Sequence, residues 1–189
     1  MRAKSHRLLG EALVQQYFTG LPRSYIRMFL AGCVQPDKNP ATYLKGSLRQ
    51  SFLRGHNFSN AKRYMCRILS RLEQPRRWNH LDYYTLGKLI HYTADAFTAA
   101  HADRFDGNLL QHRQYECQLH RYFQGHLALH HGKWHCVYPS VMKNICYYHR
   151  QYRKLPPSVS ADTDYCIGVS ILIVGMLTAR QTATKVPAL

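Results

Sequence analysis

Apolar residues recur at intervals of three and four along almost the whole chain, and no stretch shows the period-two alternation of a strand. Leu8 to Phe18 and Tyr25 to Ala31 carry this helical spacing, parted by a breaker at Gly20-Leu21-Pro22. Residues 32–40 hold Pro36 and Pro40, which predicts a loop displaying Asp37. Phe58, Ala61, Met65, Ile68 and Leu72 share one stripe, so 57–72 reads as a helix ended near Pro75. Long helices follow over 82–100 and 106–122, and then an irregular, His-rich stretch over 127–138. Residues 139–152 make a further helix with Pro139 near its first turn. After the break at Leu155-Pro156-Pro157, Ser160 is placed to cap a last helix with Asp162 and Asp164 in its first turn. There is no internal repeat. The expected fold is all-α: one domain over 1–189, built from about six to eight helices, with 155–189 as a buried C-terminal helix and tail.

The most apolar stretch, 165–177, spans 13 residues, whereas a bilayer needs about 20. It therefore predicts a core helix and no transmembrane segment. The N-terminus is basic but lacks an apolar run of signal-peptide type, so the sequence by itself predicts a cytoplasmic monomer. Charge adds a constraint: 26 Lys and Arg against 10 Asp and Glu give +16. Such a surplus favours an anionic partner, nucleic acid or a lipid headgroup surface, although an ordinary basic domain has the same balance. Cys33, Cys66, Cys117, Cys136, Cys146 and Cys166 never form a CxxC pair, which argues against a Cys-based zinc finger. They read as free, mostly buried thiols of a reducing compartment.

Candidate chemistry concentrates in one region. His91 and Asp95 are four residues apart, as are His112 and Glu116, and His101 lies between the pairs. Side chains at i and i+4 share a helix face about 6 Å apart along the axis, close enough to grip one ion. His101 lies about 15 Å beyond His91 on an ideal helix and is rotated by roughly 80°. Its joining the site implies a second ion or a helix end near Ala99. Further candidates are Asp37, His56 after Gly55, and His6. A lone helical His is more often a surface or core residue; two His/acid pairs on successive helices weaken that reading. Imidazole and carboxylate ligands with a position left for water are the donor set of hydrolytic zinc, and clustered zinc ions suit phosphoryl chemistry.

The run His91-Tyr92-x-x-Asp95-x5-His101, followed by His112-x3-Glu116, resembles the bacterial zinc-dependent phospholipase C family. The order Asp37, His56, His91, Asp95, His101, His112, Glu116 is similar to the order of that family's ligands. The start Ser5-His6-x-x-Leu9-Gly10 looks like its N-terminal ligand region. The resemblance covers roughly 5–120. It implies that Asp37, His56, His91 and Asp95 surround one zinc, and that His101, His112 and Glu116 surround a second. Asp95 would bridge to a third, completed by His6 and the chain's amino terminus. It also implies Asp37 as general base for the attacking water. The reaction would release diacylglycerol and a phosphorylated headgroup from phospholipid at a membrane surface, and an exported or membrane-peripheral location would follow. The family's proline before the ligand equivalent to His101 is replaced here by Ala99 and Ala100. With no room for a membrane-docking β domain, Trp78, Trp134 and the basic surface would have to supply lipid affinity.

Two other readings stay open. A single-strand-specific zinc nuclease fits the charge but would normally bring disulfides and an N-terminal ligand Trp. A non-catalytic basic helical protein would bind nucleic acid or anionic lipid with steep salt dependence. The segment His126-x3-His130-His131-x3-His135 lacks a carboxylate and reads as a solvated or substrate-edge loop. Tyr83-Tyr84 and Tyr147-Tyr148 read as packing. Arg49, Arg54, Lys62, Arg63 and Arg67 could form a phosphate-capturing stripe or an ordinary solvated face.

Overall fold

A computed structural model describes residues 1–38, 58–101, 108–127 and 134–183. These form seven α-helices and one short 3-10 turn, and no strand occurs among the described residues. The all-α expectation holds. In chain order the helices are α1 (Ala3–Tyr17), α2 (Arg23–Lys38), α3 (Phe58–Leu72), α4 (His80–Ala96), α5 (Leu109–His126), α6 (Val141–Tyr152) and α7 (Val159–Ala183), and the 3-10 turn is Ala99–His101.

α4 is the axis of the fold. Asn79 caps it by accepting from the Leu81 and Asp82 amides, while the Asp82 carboxylate accepts from the Asn79 amide in return. The helix therefore starts at His80, slightly before the expected Asp82. From Leu86 to Ala96 nearly every residue is buried, because α1, α2, α3 and α7 all pack on it. The 17-residue helix thus has little amphipathic contrast and carries its polar site residues inside the protein.

α2 gives the main departure from the sequence reading. The expected loop over 32–40 is helical as far as Lys38, with Pro36 inside the helix, so Asp37 rides on a helical last turn. Proline removes a single backbone bond there, close to the helix end, and close packing on α4 compensates for that loss. That packing depends on two glycines. A Cβ on Gly32 would stand 2.1 Å from the Tyr84 carbonyl oxygen, and one on Gly87 would stand 2.1 Å from the Phe29 carbonyl oxygen. The two backbones touch where any side chain would hold them apart.

The last helix begins at Val159 and is capped by Ser158, not Ser160: the Ser158 hydroxyl accepts from the Ala161 amide at 3.1 Å. Over Val159–Gln181 it is long and apolar enough, by length and composition, to cross a membrane; half of its most apolar window is buried inside the fold. Cys166, Ile167, Val169, Ile173, Val174 and Leu177 belong to the core with Leu9, Leu13, Phe29, Met65, Leu89, Phe97 and Phe123. Each such side chain contributes about 1.5–3 kcal/mol on burial.

Two surface expectations are corrected. Trp78 is buried and donates its indole N–H to the Leu72 carbonyl, and Trp134 is half-buried between Tyr148 and Tyr165, so neither is an exposed membrane-docking aromatic. An indole gains more from core area plus one hydrogen bond than from exposure. All six cysteines are free, but only Cys33 and Cys166 are buried, while Cys66 and Cys136 are exposed. Tyr83 packs edge-on against Phe18 and Trp78, as its packing role required. Lys62, Arg63 and Arg67 lie exposed on the outer face of α3; Arg49 and Arg54 fall outside the described residues.

Candidate metal centre

The i,i+4 spacing on α4 does what helix geometry requires. His91 Nε2 and Asp95 Oδ2 stand 3.2 Å apart, both fully buried. The other nitrogen of His91 faces the Cys33 carbonyl oxygen on α2 at 2.9 Å. That bond fixes the ring and leaves Nε2 turned toward the carboxylates. Asp37, at the end of α2, brings Oδ1 to 3.6 Å from His91 Nε2.

α1 supplies the fourth member. His6 is buried, stacks on His91 with ring centroids 3.8 Å apart, and places Nε2 at 3.2 Å from Asp95 Oδ1 and 4.0 Å from Asp37 Oδ2. Neither ring nitrogen of His6 makes a well-formed hydrogen bond. One ligand atom from each of His6, Asp37, His91 and Asp95 lies within 4.8 Å of all the others.

A second group adjoins the first. α4 stops at Ala96, and the 3-10 turn swings His101 back over Asp95, with His101 Nε2 at 3.7 Å from Asp95 Oδ1. The chain thus takes the helix-end alternative that the spacing left open. His101 Nε2 lies 3.4 Å from Glu116 Oε1 on α5, and His112 Nδ1 lies 3.9 Å from Glu116 Oε2. These three also meet the mutual 4.8 Å limit. They are less buried than the first group, with His112 27% exposed.

Between the groups sits the α-amino group of Met1. It donates to Asp95 Oδ1 at 2.6 Å, lies 2.5 Å from His101 Nε2, and stands 3.3 Å from Glu116 Oε1. His6 is therefore grouped with Asp37, His91 and Asp95, while the amine reaches the second group.

Electrostatics favour a cation here. Burial opposes charge on the Met1 amine, but Asp95, Glu116 and Asp37 outweigh it and raise the amine to about 10. Burial also opposes ionisation of Asp95, and is overcome by the amine, His101, His6 and His91, which hold the carboxyl well below the usual range. Glu116 is held down at about 2 against burial by the hydrogen bond from His101 and by the amine. Burial and the neighbouring His91 push His6 down to about 3, and burial and the amine push His101 down too. Both imidazoles are neutral at neutral pH and keep a lone pair for coordination. Three carboxylates thus face a single ammonium.

Several donor pairs stand near the spacing of zinc ligands. Bonds of about 2.0–2.1 Å in a tetrahedron separate ligand atoms by roughly 3.3–3.4 Å. The His6–Asp95 and His91–Asp95 distances of 3.2 Å, His91–Asp37 of 3.6 Å and His101–Glu116 of 3.4 Å lie near that spacing, while His6–Asp37 at 4.0 Å and His112–Glu116 at 3.9 Å are wider. The paired nitrogens and oxygens of His6 and Asp95 reach it without hydrogen-bond geometry, which suits an ion between them.

Of the eight residues singled out from sequence, seven converge; His56 lies outside the described residues. His126 stacks on Tyr122 and contacts its carbonyl, and lies in neither group; His130 and His131 are outside the described residues. Sequence reasoning did not find the Cys33 carbonyl, whose role belongs to the backbone and leaves no residue-type signal. It also missed Gly32 and Gly87, which a small-residue spacing on both helices could have suggested. The sequence matches the family described as zinc dependent phospholipase C over residues 5–162. No curated protein and no solved structure matches it.

Proposed function

The chain belongs to the zinc-dependent phospholipase C family, and on that premise we propose that it hydrolyses the phosphodiester of a membrane phospholipid to diacylglycerol and a phosphorylated headgroup. The observation that carries this reading is the meeting of two ligand groups at one carboxylate, with Asp95 Oδ2 toward His91 and Asp95 Oδ1 toward His101. His6, His91, Asp37 and Asp95 would hold one zinc and His101, His112 and Glu116 a second, with Asp95 shared. His56 and the Met1 amine are the remaining candidates, for the first zinc and for a third. Zinc held there would supply a strongly activated water at neutral pH and positive charge opposite the phosphate.

The chain's own residues do the rest. The Cys33 carbonyl and the His6–His91 stack fix the imidazoles before substrate arrives, so no reorganisation is needed during reaction. Asp37 is the most exposed member of its group, at 16%. Its carboxylate would accept the proton of an attacking water. His112, the most exposed of the seven, would meet an approaching headgroup first.

Phosphatidylcholine vesicles incubated with purified protein, with and without a chelator, test the reading. Diacylglycerol should form and should stop when metal is removed. A +16 chain would also attract nucleic acid, so single-stranded DNA belongs in a parallel arm. Cleavage of DNA alone would reassign the substrate, and no metal-dependent cleavage of either would exclude the enzyme reading.

A further inference from the structure

α4 breaks at Ala96 in the middle of the core, with neither glycine nor proline at the break. Phe97 and Thr98 amides turn back to the Ala94 and Asp95 carbonyls, and the Thr98 hydroxyl caps Ala94 as well. The next amide, Ala99, is buried and must find another acceptor. It donates to Asp162 Oδ2 at 2.8 Å, across 63 residues, and this accepting carboxylate is itself fully buried on α7.

The same oxygen accepts the Tyr115 hydroxyl at 2.9 Å, and Asp162 Oδ1 accepts the Tyr152 hydroxyl at 2.6 Å. Tyr115 directly precedes Glu116 and follows His112 by three on α5, while Ala99 precedes His101 by two. One turn along α7, the Cys166 thiol donates to the Ala94 carbonyl at 3.0 Å on the other side of the break. One buried carboxylate thus joins the turn carrying His101 to the helix carrying His112 and Glu116.

Burying a carboxylate costs several kcal/mol, and an apolar side chain would pack the same space without that cost. Its hydrogen bonds go to the two segments that must be spaced correctly for the second ligand group. We propose that Asp162 is the positioning residue of that group: it sets the separation between His101 and the His112–Glu116 pair and thereby the group's affinity for its metal. Asp162 touches none of the three ligands and is not a catalytic residue. The inference rests on the metal reading above.

Zinc titration of the full chain against a competing indicator, with thermal melting alongside, tests it. The wild-type chain should take up at least two zinc ions. Asp162→Ala should keep the zinc at His91 and Asp95 and bind the second more weakly, by up to the roughly 10–100-fold that loss of a ligand's direct hydrogen-bond partner causes. Asp162→Asn should recover most of that loss, because its amide oxygen still accepts from the Ala99 amide. If Asp162→Ala fails to fold, Tyr115→Phe, which removes one hydroxyl, should weaken the second zinc selectively. Wild-type affinity for both zincs in these variants, or an equal fall at both, overturns the positioning role while leaving the metal reading standing. A wild-type chain with less than one zinc overturns the metal reading, and this inference with it.

Discussion

Asp95 follows His91 by one helical turn on α4, and its Oδ2 lies 3.2 Å from the imidazole Nε2 with both side chains sealed from solvent. Its other oxygen faces His6, His101 and the Met1 amine. A single carboxylate therefore stands between the two ligand groups, and its loss cannot be local. Asp95→Asn is expected to lower zinc content at both groups and to reduce hydrolysis by more than the roughly 10–100-fold that loss of an outer partner causes. Metal analysis and a lipid-hydrolysis assay on the same preparation check this. Full activity in the variant would mean that the site is misassigned.

Metal removal should also appear as lost stability, because the ligands come from α1, α2, α4 and α5 and bound ion ties these helices together. Zinc at 1,000 times its dissociation constant stabilises the folded state by about 4 kcal/mol. For a chain of this length that is roughly 8–16 °C in melting temperature. Differential scanning calorimetry with and without chelator measures it, and identical melting curves would contradict a structural role for metal.

The α2–α4 crossing sets how close Asp37 comes to His91. Gly87→Ala would drive a methyl group into the Phe29 carbonyl, 2.1 Å away. Because the obstacle is backbone, the expected destabilisation is at least the ~1–3 kcal/mol of ordinary overpacking. Zinc affinity of the first group should fall with it, and chemical denaturation plus zinc titration reads both effects. A stable Gly87→Ala variant with unchanged zinc binding would show that the close approach does not position Asp37.

Far from the site, Asp82 predicts an acid limb. Burial opposes its ionisation, but hydrogen bonds from Arg76, the Asn79 amide and Arg71 win and hold its carboxyl below the ordinary value of 3.8. A depressed folded-state value means that its contribution is present above the ordinary value and is lost as pH falls through the depressed one. Both guanidiniums reach solvent, at 41% and 38% exposure, so screening keeps the contribution modest. Asp82→Asn should lower stability at pH 7 and flatten the loss below about pH 4. Urea midpoints across pH 2–7 test this, and a parallel offset at every pH would contradict it.

The parts of this molecule legible in sequence are those that depend on local spacing. Helical period gave α3 and α6 to within two residues and α1, α4 and α5 to within five, and the i,i+4 rule placed His91 with Asp95 and His112 with Glu116. What stayed hidden depends on contacts between distant segments. Pro36 signals a loop locally, yet close packing through Gly32 and Gly87 keeps α2 helical to Lys38. Asp162 reads as a first-turn helix acid, and only the fold shows it holding Ala99, Tyr115 and Tyr152. Trp78 and Trp134 looked available for a membrane, because tertiary burial leaves no mark on residue type.

Diffraction at the zinc absorption edge, from crystals of the zinc-loaded chain, decides whether the two adjacent ligand groups bind zinc. Anomalous peaks should lie among His6, Asp37, His91 and Asp95, and among His101, His112 and Glu116. A map without density at either place, or with zinc bound only elsewhere on the protein, would contradict it.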